Sequence, residues 1–274
     1  MKLLITVAAL TALIHLINTL ALSVRISGVR THRLAIALSL YNVVFLLAST
    51  ANSVLAPLMA AINERVINAD PTALTTQLTT VQLAGLEQQG RVILAAATVG
   101  TLIGAVCMPV FVRFFTRAIG LFEETGSVPR LIGRLLRSPR AKAAAPPLPV
   151  AATDAPRLPI PKTFLALNAL VAGLYTTGVL SAVFAGALNP ETRQTAITLS
   201  PLINGFATVL AAAVVDPTAA SITDQALNEE RHADDVKRMT FYLSASRLTG
   251  TVLAQALFLP AAYLVKNAAV FLCR

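Results

Sequence analysis

The sequence predicts an all-α polytopic membrane protein with about six transmembrane helices, and three observations carry that prediction. Apolar residues make up 55% of the 274, charged residues only 13%, and the mean hydropathy is +0.70, far outside the range of domains that fold in water. Six stretches are long enough to cross a hydrocarbon layer about 30 Å thick, which takes roughly 20 apolar residues at about 1.5 Å of rise each. The basic residues are segregated between alternate loops.

The spans are expected at about 3–24, 34–62, 92–112, 163–187, 195–215 and 241–272. Each is helical, because backbone N–H and C=O groups meet no water in lipid and a Leu/Ala/Val-rich run satisfies them internally. The first stretch, Lys2 followed by apolar residues, has the outline of a signal peptide. It contains His15 and Asn18, lacks a small-residue cleavage site and leads straight into the next span, so it reads as a retained helix.

Between the first two spans lie Arg25, Arg30 and Arg33, and between the third and fourth lies a basic segment from Arg113 to Lys162. With Arg231, Lys237 and Arg238 before the last span, these place fifteen basic residues on one side against five on the other. Cytoplasmic loops carry the Lys/Arg excess, so both termini are expected to be periplasmic in a bacterial inner membrane. This distribution, not nucleic-acid binding, accounts for the net charge of +9.

The organisation expected is an N-terminal half, 1–112, a cytoplasmic basic segment, 113–162, and a C-terminal half, 163–274. Residues 113–137 read as a juxtamembrane helix on the inner leaflet, where the arginines anchor topology and meet anionic membrane lipids. The run 139–161 holds seven prolines and many alanines and reads as a linker. Asp70-Pro71-Thr72-Ala73 and Asp216-Pro217-Thr218-Ala219 each carry the signature of a helix start: Asp as N-cap, Pro at the first helical position. Helices at about 70–90 and 216–240 would make each half span, span, Asp-Pro helix, span, a pattern that suggests two inverted three-helix repeats; two unrelated caps produce the same letters.

Polar side chains inside spans fall in stripes. His15, Asn18 and Arg25 share a face of the first; Asn42 and Asn52 fall near one line of the second; Ser200, Asn204 and Thr208 point along the fifth toward Asp216; and Ser244, Arg247, Thr251 and Gln255 recur in the sixth. Interhelical hydrogen bonding explains any one of these, while four together point to a wet seam. Arg247 is the most informative, because a charge at mid-membrane costs about 2.5 to 3.5 kcal/mol. It either snorkels to the cytoplasmic edge or pairs with Asp216 or an anionic substrate.

Three histidines without metal-ligand spacing and two cysteines inside or at the end of apolar spans offer no metal site, and no nucleophile–base pair or phosphate-binding glycine loop can be drawn. The run from His15 through Thr31, with Ala35-Ile36-Ala37-Leu38-Ser39-Leu40, resembles the start of the Amj family of alternate lipid II flippases. Val215-Asp216-Pro217, Thr223-Asp224, Ser246-Arg247-Leu248-Thr249-Gly250 and Leu253-Ala254-Gln255 are similar to its C-terminal half. The chain departs from the family pattern in carrying Asn18 and Ser49 where that pattern has an acidic and a basic residue.

The resemblance implies flipping of lipid II, an undecaprenyl-pyrophosphate-linked disaccharide pentapeptide, to the periplasmic leaflet for cell-wall synthesis, with no cofactor and no catalysis. Candidate substrate contacts are the guanidinium forks of Arg25, Arg30, Arg33 and Arg247, the polar groups of His15, Asn18, Asn42, Asn52, Asn204 and Gln255, and the carboxylates Asp216 and Asp224. Another polyprenyl-(pyro)phosphate lipid and a membrane-embedded lipid-modifying enzyme are the alternatives, and a homo-oligomer is compatible with the sequence. In a background without Cys107 and Cys273, single cysteines near 70 and 150 should label oppositely with an impermeant thiol reagent on intact cells. Equal labelling contradicts the orientation.

Overall fold

The structure, a computed structural model, describes residues 1–69, 78–137 and 155–274. Six helical segments are long and apolar enough to cross a membrane, so the protein is multi-pass. They are α1 with α2 (Lys2–Leu20, Ser23–Thr31), α3 (Leu34–Asn68), α4 (Thr80–Thr125), α6 (Lys162–Leu188), the rod Pro190–Leu227 and α10 (Asp234–Leu272). A short amphipathic helix, α5 (Val128–Arg137), follows α4.

Several segments run differently from the expectation. Arg25 and Arg30 lie not in a loop but in α2, which continues α1 after a turn at Ala21–Leu22; only His32 and Arg33 connect to α3. Helix α4 has 46 residues, about 69 Å at 1.5 Å per residue, and runs through Arg113 and Arg117 instead of breaking there. A capping box starts it, with Gln82 N–H donating to Thr79 Oγ1 and Thr79 N–H to Gln82 Oε1, and Gly126 ends it at a φ of 64°, where a side chain is costly. The separate amphipathic helix thus begins only at Val128.

The rod contains α7 (Arg193–Thr198), α8 (Ser200–Leu210), a π-helical turn (Ala211–Val215) and α9 (Asp216–Leu227). Asp216 does not cap a new helix: Val215 before it is already helical and no side-chain cap bond forms. Pro217 cannot donate a backbone hydrogen bond, and the wide π-turn just upstream absorbs that defect without ending the helix. Asp70-Pro71, the other arm of the expected symmetry, lies outside the described residues, as does most of the linker.

Helix α6 is the central pillar. It is apolar on every side, and 83% of its most apolar window is buried, against 17% for α3 and 11% for the α7–α9 rod. Its principal partner is α10, and the two backbones approach where neither has a side chain: a Cβ on Gly250 would collide with the Ala169 carbonyl oxygen, and one on Gly173 would crowd that of Gly250 at 3.2 Å. Asn168 fastens the same pair, donating to Leu243 O at 3.1 Å and Ser246 Oγ at 2.7 Å. Across the molecule α1 packs on α4 in the same manner, with Gly100 against the Ala12 carbonyl and Gly104 against Thr19. Close backbone approach matters because lipid supplies no hydrophobic drive between helices, leaving packing and hydrogen bonds to hold them.

At the basic end, 155–161 docks on the turn between α9 and α10. Leu158 N–H donates to Asp235 Oδ2 at 2.9 Å, Arg231 Nη2 to Pro159 O at 3.1 Å, and His232 N–H to Pro156 O at 3.2 Å. Asp235 is fully buried and also meets Arg231 at 3.4 Å and Arg238 at 3.0 Å, so its charge is compensated from several directions.

Gly100→Leu should lower folded, membrane-inserted protein, because overpacking at a backbone contact costs about 1–3 kcal/mol or more. Gly85→Leu, on the same helix with open space at its Cβ position, should be tolerated. Thermal stability in detergent checks both.

Candidate functional site

The polar side chains converge at one place between α6, α3 and the rod. Both α3 and α8 rest on α6 yet scarcely touch each other, which leaves a groove floored by α6. Tyr175 of α6 stands in it, its hydroxyl 2.6 Å from Thr208 Oγ1 of α8. On the opposite wall Tyr41 of α3 lies within electrostatic range of Tyr175, Arg25, Asp216 and Arg247. Six helical elements therefore contribute to one cluster.

Within it the pairing differs from expectation. Asp216 meets Arg25 Nη2 at 3.6 Å, and not Arg247. The π-turn is the reason: an extra residue in the turn shifts the register of the helix beyond it, so the carboxylate leaves the line of Ser200, Asn204 and Thr208 and faces α2. Arg247 forms no ion pair among the described residues, and its Nε is shut away from solvent without a hydrogen-bond partner. Its electrostatic neighbours are Tyr41, Tyr175 and His15. Arg247 as a whole is half-buried, with its Nε turned away from solvent and two phenols among its electrostatic neighbours.

Next to the arginines, His15 is buried, with Nδ1 3.5 Å from Thr101 Oγ1. Together with Asn52, Tyr175 and Thr176 it lines a pocket of about 20 Å³, room for one water. Asn204 presses on Gly178 of α6 with its Oδ1 buried and unpartnered. His15, Arg25, Asn52, Asn204, Asp216 and Arg247 are thus the predicted residues gathered around this groove.

Other predicted residues are engaged elsewhere. Gln255 does not face the seam: its Nε2 donates to Arg91 O at 3.0 Å while Arg91 Nη1 donates to Gln255 O at 3.1 Å, a reciprocal bond that joins α10 to α4. Arg33 is held by Glu123 of α4. Arg30 is half-buried in α2, Asp224 is exposed on α9, Asn42 is exposed on α3, and Asn18 is half-buried on α1. Sequence reasoning missed Tyr41 and Tyr175. Their signal was slight: the chain has only four tyrosines, and these two lie inside spans instead of at the ends.

In the cysteine-free background, Asn52→Cys, at the pocket beside His15, should react with small polar thiol reagents, and Gln255→Cys should react more slowly because its side chain lies against Arg91 of α4. Equal rates contradict this assignment of the wet surface.

A sequence profile of the Amj family, described as alternate to MurJ, matches residues 10–269. The chain is 36% identical over 260 residues to the lipid II flippase Amj of Bacillus subtilis (strain 168), a match that covers 92% of this chain and 91% of that protein. No solved structure matches. With the profile spanning nearly all of its length and the relative covered almost end to end, the chain belongs to the Amj family.

Proposed function

We propose that this protein moves lipid II from the cytoplasmic to the periplasmic leaflet of a bacterial inner membrane, as a transporter and not an enzyme, with both termini periplasmic. The observation that carries the reading is Arg247, which forms no ion pair among the described residues and whose Nε has no hydrogen-bond partner, together with the Arg25–Asp216 pair at the groove between α3 and α8. A diphosphate presents several anionic oxygens, and two guanidinium forks match them in charge and geometry. Among the described residues, Asp216 is the carboxylate that meets this cluster, against two arginines, so the cluster carries a net positive charge.

Loading follows from that imbalance. The diphosphate enters at the basic side, takes Arg247 directly and competes with Asp216 for Arg25. Asp216 is 62% exposed in its side chain and is held at 3.6 Å, so it is the partner more readily displaced. Tyr41 and Tyr175 supply hydroxyl donors, and His15 and Asn52 offer polar contacts to the sugar and peptide further along. The polyprenyl chain stays in the bilayer, because α3 and α8 do not close on each other. Displacing Asp216 frees α9 from α2, and that differential contact is how substrate arrival shifts the conformational equilibrium.

Arg247→Lys keeps the charge and loses the fork. It should reduce lipid II transport in reconstituted vesicles by about tenfold or more, on the scale of a lost charged hydrogen bond, while inserting at normal levels. Arg247→Gln should do the same. Wild-type transport by both variants at matched protein, or equal transport of unrelated polyprenyl phosphates lacking the disaccharide, contradicts the reading.

A further inference from the structure

A second pocket lies farther from the basic end, lined by Asn63, Gln89, Gly90 and Phe258 among others. It has the same volume as the first, about 20 Å³. Met59 of α3 and Leu180 of α6 line both pockets, so these two side chains form the partition between them. Met59 is 2% and Leu180 6% exposed, and no polar residue is common to the two linings. The outer pocket is capped in turn by Phe258, whose ring lies 5.3 Å from that of Phe184 and against Gly90.

Two such pockets hold a water each, and a disaccharide-peptide passes only if α3 parts from α6. The helix is built for that. Pro57 interrupts it two residues before Met59, removing the backbone bond to the Ser53 carbonyl and leaving a hinge there. Contact between α3 and α6 is slight compared with that between α10 and α6, and its outer half is fastened by a cross-helix bond, Asn63 Nδ2 donating to Val183 O at 2.6 Å.

We propose that Met59 and Leu180 are the barrier of the headgroup route, closed in this conformation and opened by a swing of outer α3 about Pro57. The proposal rests on the transport reading above, and adds the path and its gate. The barrier is apolar so that water and protons do not follow the seam when substrate is absent, and methionine suits a surface that must separate and repack. The outer pocket with Asn63 and Gln89 is then the site at which the sugar-peptide emerges.

Two measurements separate this inference from the functional reading. In the Cys107→Ser, Cys273→Ser background, Met59→Cys with Leu180→Cys is joined by a short bifunctional thiosulfonate in vesicles that contain lipid II. Flipping should fall by about tenfold or more relative to the same double variant before cross-linking, as expected when a required conformational step is blocked, and return on reduction, while each single cysteine variant should show no such treatment-dependent fall against its own untreated sample. Failure to cross-link, or full activity once cross-linked, overturns the gate and leaves the lipid II assignment standing.

The second measurement needs no lipid II. Gln89→Cys in inverted vesicles should be shielded from a polar thiol reagent added at the basic side, and Met59→Ala with Leu180→Ala should raise its reaction rate by about tenfold or more, the gain expected when a closed barrier becomes an open path. An unchanged rate places the barrier elsewhere, even where lipid II transport proves real. If the parent protein fails to flip lipid II yet this rate rises, the gate holds and the substrate assignment falls.

Discussion

Close contact between the α6 and α10 backbones, at Gly173 and Gly250, is the constraint on which the other helices depend. In lipid, apolar side chains gain little by leaving one hydrocarbon surface for another, so helices associate through packing and hydrogen bonds. Glycines allow the approach, and Asn168 and Ser181 add cross-helix bonds, the latter to Phe258 O at 3.1 Å. With that pair rigid, α6 offers its remaining faces to α3 and α8. Both dock on the pillar and neither on the other, and the groove between them results from that arrangement.

The groove is where the fold carries electrostatic cost. A cation at mid-membrane costs about 2.5–3.5 kcal/mol on insertion scales. Arg25 recovers part of this from Asp216, at a distance longer than a tight pair, and the electrostatic neighbours of Arg247 are two phenols and an imidazole. Elsewhere in the molecule charges are handled differently: Asp235 is fully compensated by two arginines and a backbone N–H, and Arg91 by Glu87 at 2.8 Å. Arg231 and Arg91 each meet a carboxylate, whereas Arg247 forms no ion pair among the described residues.

The basic end ties Asp216 to the rest of the molecule. Asp216 begins α9, and α9 ends at the turn that clasps 155–161 through Arg231, His232 and Asp235. Helix α9 is thus anchored at its far end. The π-turn before Asp216 lies at the other end of the same helix, where widened backbone bonding permits bending.

By itself the sequence determined the membrane class, the six spans and their order, because hydropathy over roughly 20 residues reads the solvent and not the neighbours. It also identified Arg25, Asp216 and Arg247 as the charges to explain, since any ionised group in such a run is expensive wherever it points. What it left undetermined were partners. Extending the four-residue spacing of Ser200, Asn204 and Thr208 to Asp216 assumed an unbroken α-helix, and a single π-turn redirected the carboxylate to Arg25. Gln255 looked like seam and became a strut, because α4 approaches α10 at that level, a fact of packing that no periodicity contains. Tyr41 and Tyr175 come from helices distant in sequence and acquire meaning only once α6 has brought their faces together. Periodicity fixes which side of a helix a residue is on; only the docking of the helices decides what stands opposite.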